Sequence, residues 1–151
     1  MPIGVISDTH GLLRQEALQA LAGSSLIIHA GDVGDPKILE ALRDIAPVVA
    51  VRGNIDTAEW AGALPEFQRI EHDGASIYVL HDINQLDLDP VAAGLHAVIS
   101  GHSHKPAIRT RDGVLYLNPG SAGPRRFTLP VTVARLHVNG NALEAERIDL
   151  C

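Results

Sequence analysis

The sequence predicts an α/β fold in which two mixed β-sheets pack face to face with helices outside, an αββα sandwich. Three observations carry this. Up to about residue 54 the chain alternates short apolar runs with amphipathic stretches in a β-α-β-α-β order, and the loops are short, which is the pattern of parallel strands with crossover helices. After residue 66 the pattern changes to pairs of apolar runs separated by Gly-containing turns, the signature of hairpins. Finally, 46% of the 151 residues are hydrophobic and 20% are charged, enough to bury one sizeable core at the common size of a single domain, expected over 1–151. Only five aromatic residues are present, so that core is built from Val, Ile, Leu and Ala.

The elements follow in order. Ile3–Ser7 is a strand that runs into the polar cluster Asp8-Thr9-His10-Gly11, and a helix follows from about Arg14 to Ala22. Gly23 ends that helix as a C′ glycine. Leu26–Ala30 is the second strand, ending at Gly31-Asp32, and Pro36 opens the second helix in the first-turn position that tolerates a missing N–H. Ile38, Leu39 and Leu42 share one face of it, Pro47 closes it, and Val48–Val51 is the third strand, ending at Arg52-Gly53-Asn54. Phe67–Glu71 and Ser76–His81 flank the turn His72-Asp73-Gly74-Ala75. A helix is expected around Pro90–Leu95, then a buried strand at Ala97–Ser100. Two more hairpins close the chain. Ala107–Thr110 and Val114–Leu117 flank Arg111-Asp112-Gly113, and Val131–His137 and Ala142–Ile148 flank Val138-Asn139-Gly140-Asn141.

Composition removes several classes of function. A formal charge of −6 and a pI near 5.7 lack the broad basic footprint of a nucleic-acid binder, and so few aromatics supply no base-stacking platform. The single cysteine, Cys151, builds neither a disulfide framework nor a CxxC metal site. Met1-Pro2-Ile3-Gly4-Val5 has no charged and then apolar leader pattern, and no apolar run reaches membrane-spanning length, so a cytoplasmic protein is expected. Two features point toward chemistry instead. Eight histidines is a high number for this length, and Lys105–Arg126 holds five basic residues against the single acid Asp112. A local basic patch on an acidic chain suits an anionic ligand better than a polymer, although a solvated hairpin face is the plainer reading.

Five apolar strands run directly into metal-competent residues: Asp8 and His10, Asp32, Asn54, His81, and His102 with His104. Ligands of such sheets bind outside the carboxyl ends of the strands, so these groups converge although they span nearly a hundred residues. Each is weak alone. Asp8-Thr9 reads equally as an N-cap, Gly31-Asp32 and Gly53-Asn54 as turns, and His81 as a core histidine. Gly101-His102-Ser103-His104 is stronger, because residues two apart point the same way along extended chain. Together they are two Asp, one Asn and four His, enough for two divalent ions that share one carboxylate. Nitrogen and oxygen ligation without thiolate suits Mn²⁺ foremost, with Fe, Zn, Ni or Mg also accommodated, and argues against a structural zinc site. Two such ions, about 3.5–4 Å apart, clamp an in-line displacement and acidify a bridging water.

At this point the sequence resembles the calcineurin-like metallophosphoesterase superfamily, in its small single-domain phosphodiesterase branch. The matching pieces are Ser7-Asp8-Thr9-His10-Gly11, His29-Ala30-Gly31-Asp32, Val51-Arg52-Gly53-Asn54-Ile55-Asp56, His81, Gly101-His102-Ser103-His104 and Asn118-Pro119-Gly120-Ser121. The resemblance implies one ion held by Asp8, His10, Asp32 and His104, and another by Asp32, Asn54, His81 and His102. It also implies hydrolysis of a small phosphate ester, most readily a diester, by a hydroxide bridging the two ions. Asn54 and His102 would stabilise the charge on the phosphoryl oxygens, and Asp56 or a water would protonate the leaving group. Two positions depart from the family. Asp82-Ile83 follows His81 where Gly-His is frequent, and Ile55, then Asp56, follows Asn54 where larger members carry a histidine.

Arg52 is the first candidate for phosphate contact from its place at a strand end, and Arg125 with Arg126 is the second. Gly120-Ser121 reads either as backbone donors to an anion or as a plain turn, and Ser103 lacks the second glycine of a nucleophile elbow. GxxxxGK[ST], GxGxxG and HExxH motifs are absent, which removes the nucleotide-switch reading. The competing reading is a retromer-subunit-like interaction scaffold of the same fold with weak or no activity. In that branch the first-motif histidine is replaced, whereas His10 stands here. No membrane partner and no broad nucleic-acid surface are expected, and self-association stays open.

Overall fold

The computed structural model describes residues 1–140 and 142–150. Asn141 of the third predicted turn and Cys151 lie outside them. Ten strands form two five-stranded sheets. In the first, the order is β10 (Ala142–Asp149), β9 (Thr132–Asn139), β1 (Ile3–Ile6), β2 (Leu26–His29) and β3 (Val48–Ala50). β1, β2 and β3 run parallel, while β9 and β10 are antiparallel additions. The second sheet has the order β4 (Phe67–His72), β5 (Ala75–Leu80), β6 (Ala97–Ile99), β8 (Val114–Asn118) and β7 (Ala107–Arg111). Its centre, β5-β6-β8, is parallel and its edges are antiparallel hairpin partners.

The two sheets meet over a core of Ile3, Val5, Ile28, Ile77, Val79, Ile99, Leu117 and Leu136, all at most 1% exposed. Branched aliphatic side chains at this density fill an inter-sheet layer without needing aromatics. Helix α1 (Gln15–Leu21) and helix α2 (Pro36–Arg43) cover the opposite face of the first sheet through Ala17, Leu21, Ile38, Leu39 and Leu42. The side chain of Asp35 accepts a hydrogen bond from Lys37 N–H at 2.9 Å and caps α2, while Pro36 occupies its first turn.

The hairpin turns behave as their sequences require. Asp73-Gly74 and Asp112-Gly113 have φ of 50° and 83°, and of 52° and 80°. Both central residues are left-handed, the condition for a two-residue type I′ turn. One expected element is absent. The chain at Pro90–Leu95 makes turns instead of an α-helix, because Gly94 is left-handed at φ 73° and the bonds mix Ala93 N–H to Asp89 with Leu95 N–H to Pro90. The outer face of the second sheet is therefore covered by a 3₁₀ turn at Ile83–Gln85 and by Leu86, Leu88 and Leu95. Among the described residues, α-helical cover is confined to the first sheet. Among the described residues, no helix is long and apolar enough to cross a membrane.

Candidate metal centre

The carboxyl ends of β1, β2, β3, β5 and β6 open on the same side of the sandwich, and the polar residues following them meet there. His10 Nε2 lies 3.4 Å from Asp32 Oδ2 and 3.7 Å from Asp8 Oδ1. His104 Nε2 is 3.4 Å from Asp8 Oδ1. His81 Nε2 is 3.2 Å from Asp32 Oδ2, 3.9 Å from Asp8 Oδ1 and 3.1 Å from Asn54 Oδ1. The His102 ring stands edge-on to that of His81, with centroids 5.2 Å apart. All seven residues expected to act as ligands are thus brought into one neighbourhood. Two ligand triads within it, Asp8-His10-His104 and Asp8-Asp32-His81, have the compactness a single ion requires.

The carboxylates show how the site is prepared. Asp8 Oδ2 accepts hydrogen bonds from Ser7 Oγ at 2.7 Å and His102 N–H at 3.1 Å, while Asp8 Oδ1, buried, has no partner. Asp32 Oδ1 accepts from Ile55 N–H at 3.0 Å, and its Oδ2 faces His10 and His81. In each, one oxygen is held by the loops and the other is aimed at imidazoles. His10 Nε2 is also buried without a hydrogen bond. Buried polar atoms left unpaired are costly and rare, and convergent ones mark a site for an ion. His81 is fixed in the same way. Its Nδ1 lies 2.7 Å from the Ala30 carbonyl and donates to it, which leaves Nε2 for the centre.

The backbone supports this reading. Asp8, His10, Asp32, His102 and His104 all have positive φ, between 47° and 71°. Left-handed backbone costs about 1 kcal/mol or more at a residue with a Cβ, and it persists only where surrounding contacts enforce it. Five of the eight such non-glycine residues described fall on the candidate ligands. The neighbouring glycines give the side chains room. A Cβ on Gly31 would lie 2.6 Å from His81 Nδ1, and one on Gly53 would run into the Asp32 carboxylate.

Electrostatics follow from burial and pairing. Burial pushes the Asp32 carboxyl up, but hydrogen bonds from His81 and Ile55 and the positive fields of His81 and His10 outweigh it and hold it near 2. His81 loses basicity to burial and regains more from its bonds to Asp32 and Ala30, so it is raised. His104 is lowered by burial, with Arg126 adding to the effect. His29, fully buried beneath the centre, is lowered to about 4 by desolvation. Its Nε2 donates to Thr9 Oγ1 at 3.0 Å, Thr9 Oγ1 donates to the Val33 carbonyl at 2.8 Å, and Gly31 N–H donates to His29 Nδ1 at 3.2 Å. This chain ties the loop after β1 to the loop after β2.

The remaining expected residues fall differently. Arg52, Asn54, Glu66, His81, Asp82 and His102 line an open groove of about 230 Å³ beside the centre. Arg52 is present there as expected, with Nη2 2.9 Å from Glu66 Oε1. Arg125 is exposed on the segment after Pro124 and does not line that groove. Asp56 is buried. It is 3% exposed, and its carboxylate accepts hydrogen bonds from Val33, Gly34 and Gly53 N–H at 3.0–3.1 Å. Its carboxyl is thereby tied to the loops that carry Asp32 and Asn54 and does not line the groove. Sequence reasoning gave no role to Thr9, His29 or Glu66. The spacing of Thr9 and His29 carries no local signal, since they meet only when β1 and β2 pair.

The sequence profile described as the calcineurin-like phosphoesterase superfamily domain matches residues 1–141. A probable metallophosphoesterase of Methanothermobacter thermautotrophicus is 36% identical, covering 98% of this chain and 92% of its own length. Among solved structures, one described as a novel archaeal phosphodiesterase superposes with TM-score 0.76 at 22% identity, over 98% of this chain and all of that one. Vps29 of Entamoeba histolytica complexed with zinc superposes with TM-score 0.75 at 23% identity, over the full length of both chains. The fold, the convergent strand ends and the extent of the profile match lead to one conclusion: this chain belongs to the calcineurin-like phosphoesterase superfamily.

Proposed function

We propose that this metallophosphoesterase hydrolyses phosphodiesters with the help of two divalent ions, acting as a single domain over 1–151. The observation that carries the proposal is the pair of carboxylate oxygens, the unpartnered Asp8 Oδ1 and Asp32 Oδ2, that face histidines on both sides. Asp8, His10, Asp32 and His104 would hold one ion, and Asp32, Asn54, His81 and His102 the other. Asp32 Oδ2, 3.4 Å from His10 and 3.2 Å from His81, is the oxygen suited to serve both. Bound there, Mn²⁺ or a similar ion supplies Lewis-acid polarisation of the phosphoryl group and a water acidified to act as nucleophile.

The chain's own residues do the rest. The loops fix the ligand carboxylates through Ser7, His102 N–H and Ile55 N–H, so little reorganisation accompanies the reaction. Asn54 retains an amide N–H₂ and His102 a ring nitrogen on the groove side, and each adds a donor for a phosphoryl oxygen. Arg52 points its guanidinium into the same groove, and Arg125 stands as an outer contact for longer substrates. With Asp56 enclosed, the leaving group takes its proton from solvent in the open groove.

The diester preference has an electrostatic basis. Arg52 is the cationic side chain lining the groove, and Glu66 and Asp82 line it too. A monoester dianion meets these two carboxylates with one more negative charge than a diester does. The test is a set of matched aryl diesters and monoesters assayed with purified protein and Mn²⁺, Ni²⁺, Zn²⁺ and Mg²⁺ separately. Metal-dependent turnover with a higher kcat/KM for the diester is expected. A monoester preference overturns the substrate class, and no turnover with any ion favours the scaffold reading.

A further inference from the structure

The basic run of the second half has a place in the fold that the metal centre does not use. Arg109 and Arg111 alternate with Ile108 and Thr110 on β7, the edge strand, and pair in register with Tyr116 and Val114 of β8, whose Val114 packs in the cluster on the outer face of that sheet. Both therefore project from the outer face of the second sheet, about 7 Å apart along the strand. Together with Lys105, Tyr116, Ser103 and Ile83 they line a groove of about 390 Å³. That is the size range of small-molecule sites.

Three cations gather in this one groove, and no carboxylate offsets them. Arg52, Arg69, Arg135 and Arg147 each stand against a carboxylate. Among the described residues, Lys105, Arg109 and Arg111 form no ion pair and no side-chain hydrogen bond, and Asp112 does not pair with them. Three uncompensated cations around a half-buried tyrosine, on a chain of net charge −6, make a local field for an anion with an aromatic part.

One end of the groove reaches the loop that carries two of the candidate ligands. Ser103 lies between His102 and His104, and Asn118 Nδ2 donates to Ser103 Oγ at 3.1 Å and to the Gly101 carbonyl at 3.0 Å, which fixes that end. We propose that this groove is a subsite for the far arm of an extended substrate: a nucleotide-type phosphodiester whose base lies against Tyr116 and whose second phosphate is held by Arg109, Arg111 and Lys105. The inference rests on the phosphodiesterase reading for its kinetic consequence, but binding tests it separately.

The first arm of the test is calorimetric binding of thymidine 3′,5′-bisphosphate and thymidine 5′-monophosphate to the metal-loaded protein and to Arg109→Ala/Arg111→Ala. The bisphosphate is expected to bind about tenfold more tightly to the wild type, an advantage that the double variant loses. The second arm compares the p-nitrophenyl diester of thymidine 5′-phosphate with and without a 3′-phosphate. The 3′-phosphate is expected to lower KM about tenfold with kcat little changed, and the double variant is expected to abolish the difference while turning over the plain diester normally. Arg109→Glu, an exposed single change, is expected to reverse the preference. Equal affinity for the two nucleotides in the wild type, or an advantage that survives in the double variant, overturns the subsite. Failure to hydrolyse either diester counts against the phosphodiesterase reading, and the binding arm still decides the subsite.

Discussion

Replacing Asp56 separates a structural carboxylate from a catalytic one. Its two oxygens take N–H bonds from Val33 at 3.1 Å and from Gly34 and Gly53 at 3.0 Å, and it is 3% exposed. Asp56→Ala leaves three donors without partners. At about 1–2 kcal/mol for each donor lost, the change costs about 3–6 kcal/mol. For a chain of this length that is a fall in Tm of about 10–20 °C, a large fraction of a typical total stability. Asp56→Asn is milder. Its amide oxygen can serve Val33 and Gly53, but its N–H₂ then faces Gly34 N–H, for a cost of about 1–3 kcal/mol. Urea and thermal unfolding measure both variants, and the pH profile of kcat in Asp56→Asn completes the assay. The profile is expected to keep its shape while stability falls. Wild-type stability together with loss of the limb that reports a proton donor would refute the structural assignment and restore Asp56 as the general acid.

Two further predictions concern charge at the centre. Asp32→Asn is expected to fold and to lose more than about 100-fold in activity, because an amide oxygen would bring no charge to the two proposed cations; circular dichroism and kcat/KM under saturating metal check it, and near-normal turnover would contradict it. Stability of the metal-stripped protein is expected to fall on acidification. His29 has a folded pKa of about 4 against an ordinary 6.5, so the unfolded chain binds the extra proton, and about 3 kcal/mol present above pH 6.5 is lost as pH falls toward 4. Asp32, held near 2, adds loss in the same direction between about pH 4 and 2, whereas raised His81 contributes stability present below pH 6.5 that fades above it. Urea midpoints that stay flat from pH 6.5 to 4 would contradict the buried neutral state of His29.

The strands were legible because apolar runs of four to six residues end abruptly at Gly, Asp and His, and the hairpins because Asp73-Gly74 and Asp112-Gly113 tolerate positive φ. The helix expected at Pro90–Leu95 failed because Gly94, left-handed at φ 73°, stops the chain after one turn, and Leu95 packs from beyond that turn. The neighbourhood of Asp8, His10, Asp32, Asn54, His81, His102 and His104 was legible from strand ends alone, since parallel strands place their carboxyl ends on one side. What the sequence hid were contacts that only tertiary pairing creates. Thr9 meets His29 across two strands, Glu66 closes on Arg52 from beyond a 3₁₀ turn, and Asp82 Oδ2 comes within 3.9 Å of His102 Nε2. The placement of Asp56 was hidden for the same reason. Next to Gly53-Asn54 in sequence it looks like part of the site, yet its side chain turns inward to the N–H groups of the neighbouring loop.

The proposed site has Asp32 serving two ions at once. Metal-stripped protein equilibrated with Mn²⁺ and analysed for metal per chain, beside Asp32→Asn treated in the same way, tests it directly. A plateau at about two ions per wild-type chain is expected, with activity rising as the second site fills, and at most one ion in Asp32→Asn. A wild-type plateau that never exceeds one, with full activity already reached there, would contradict it.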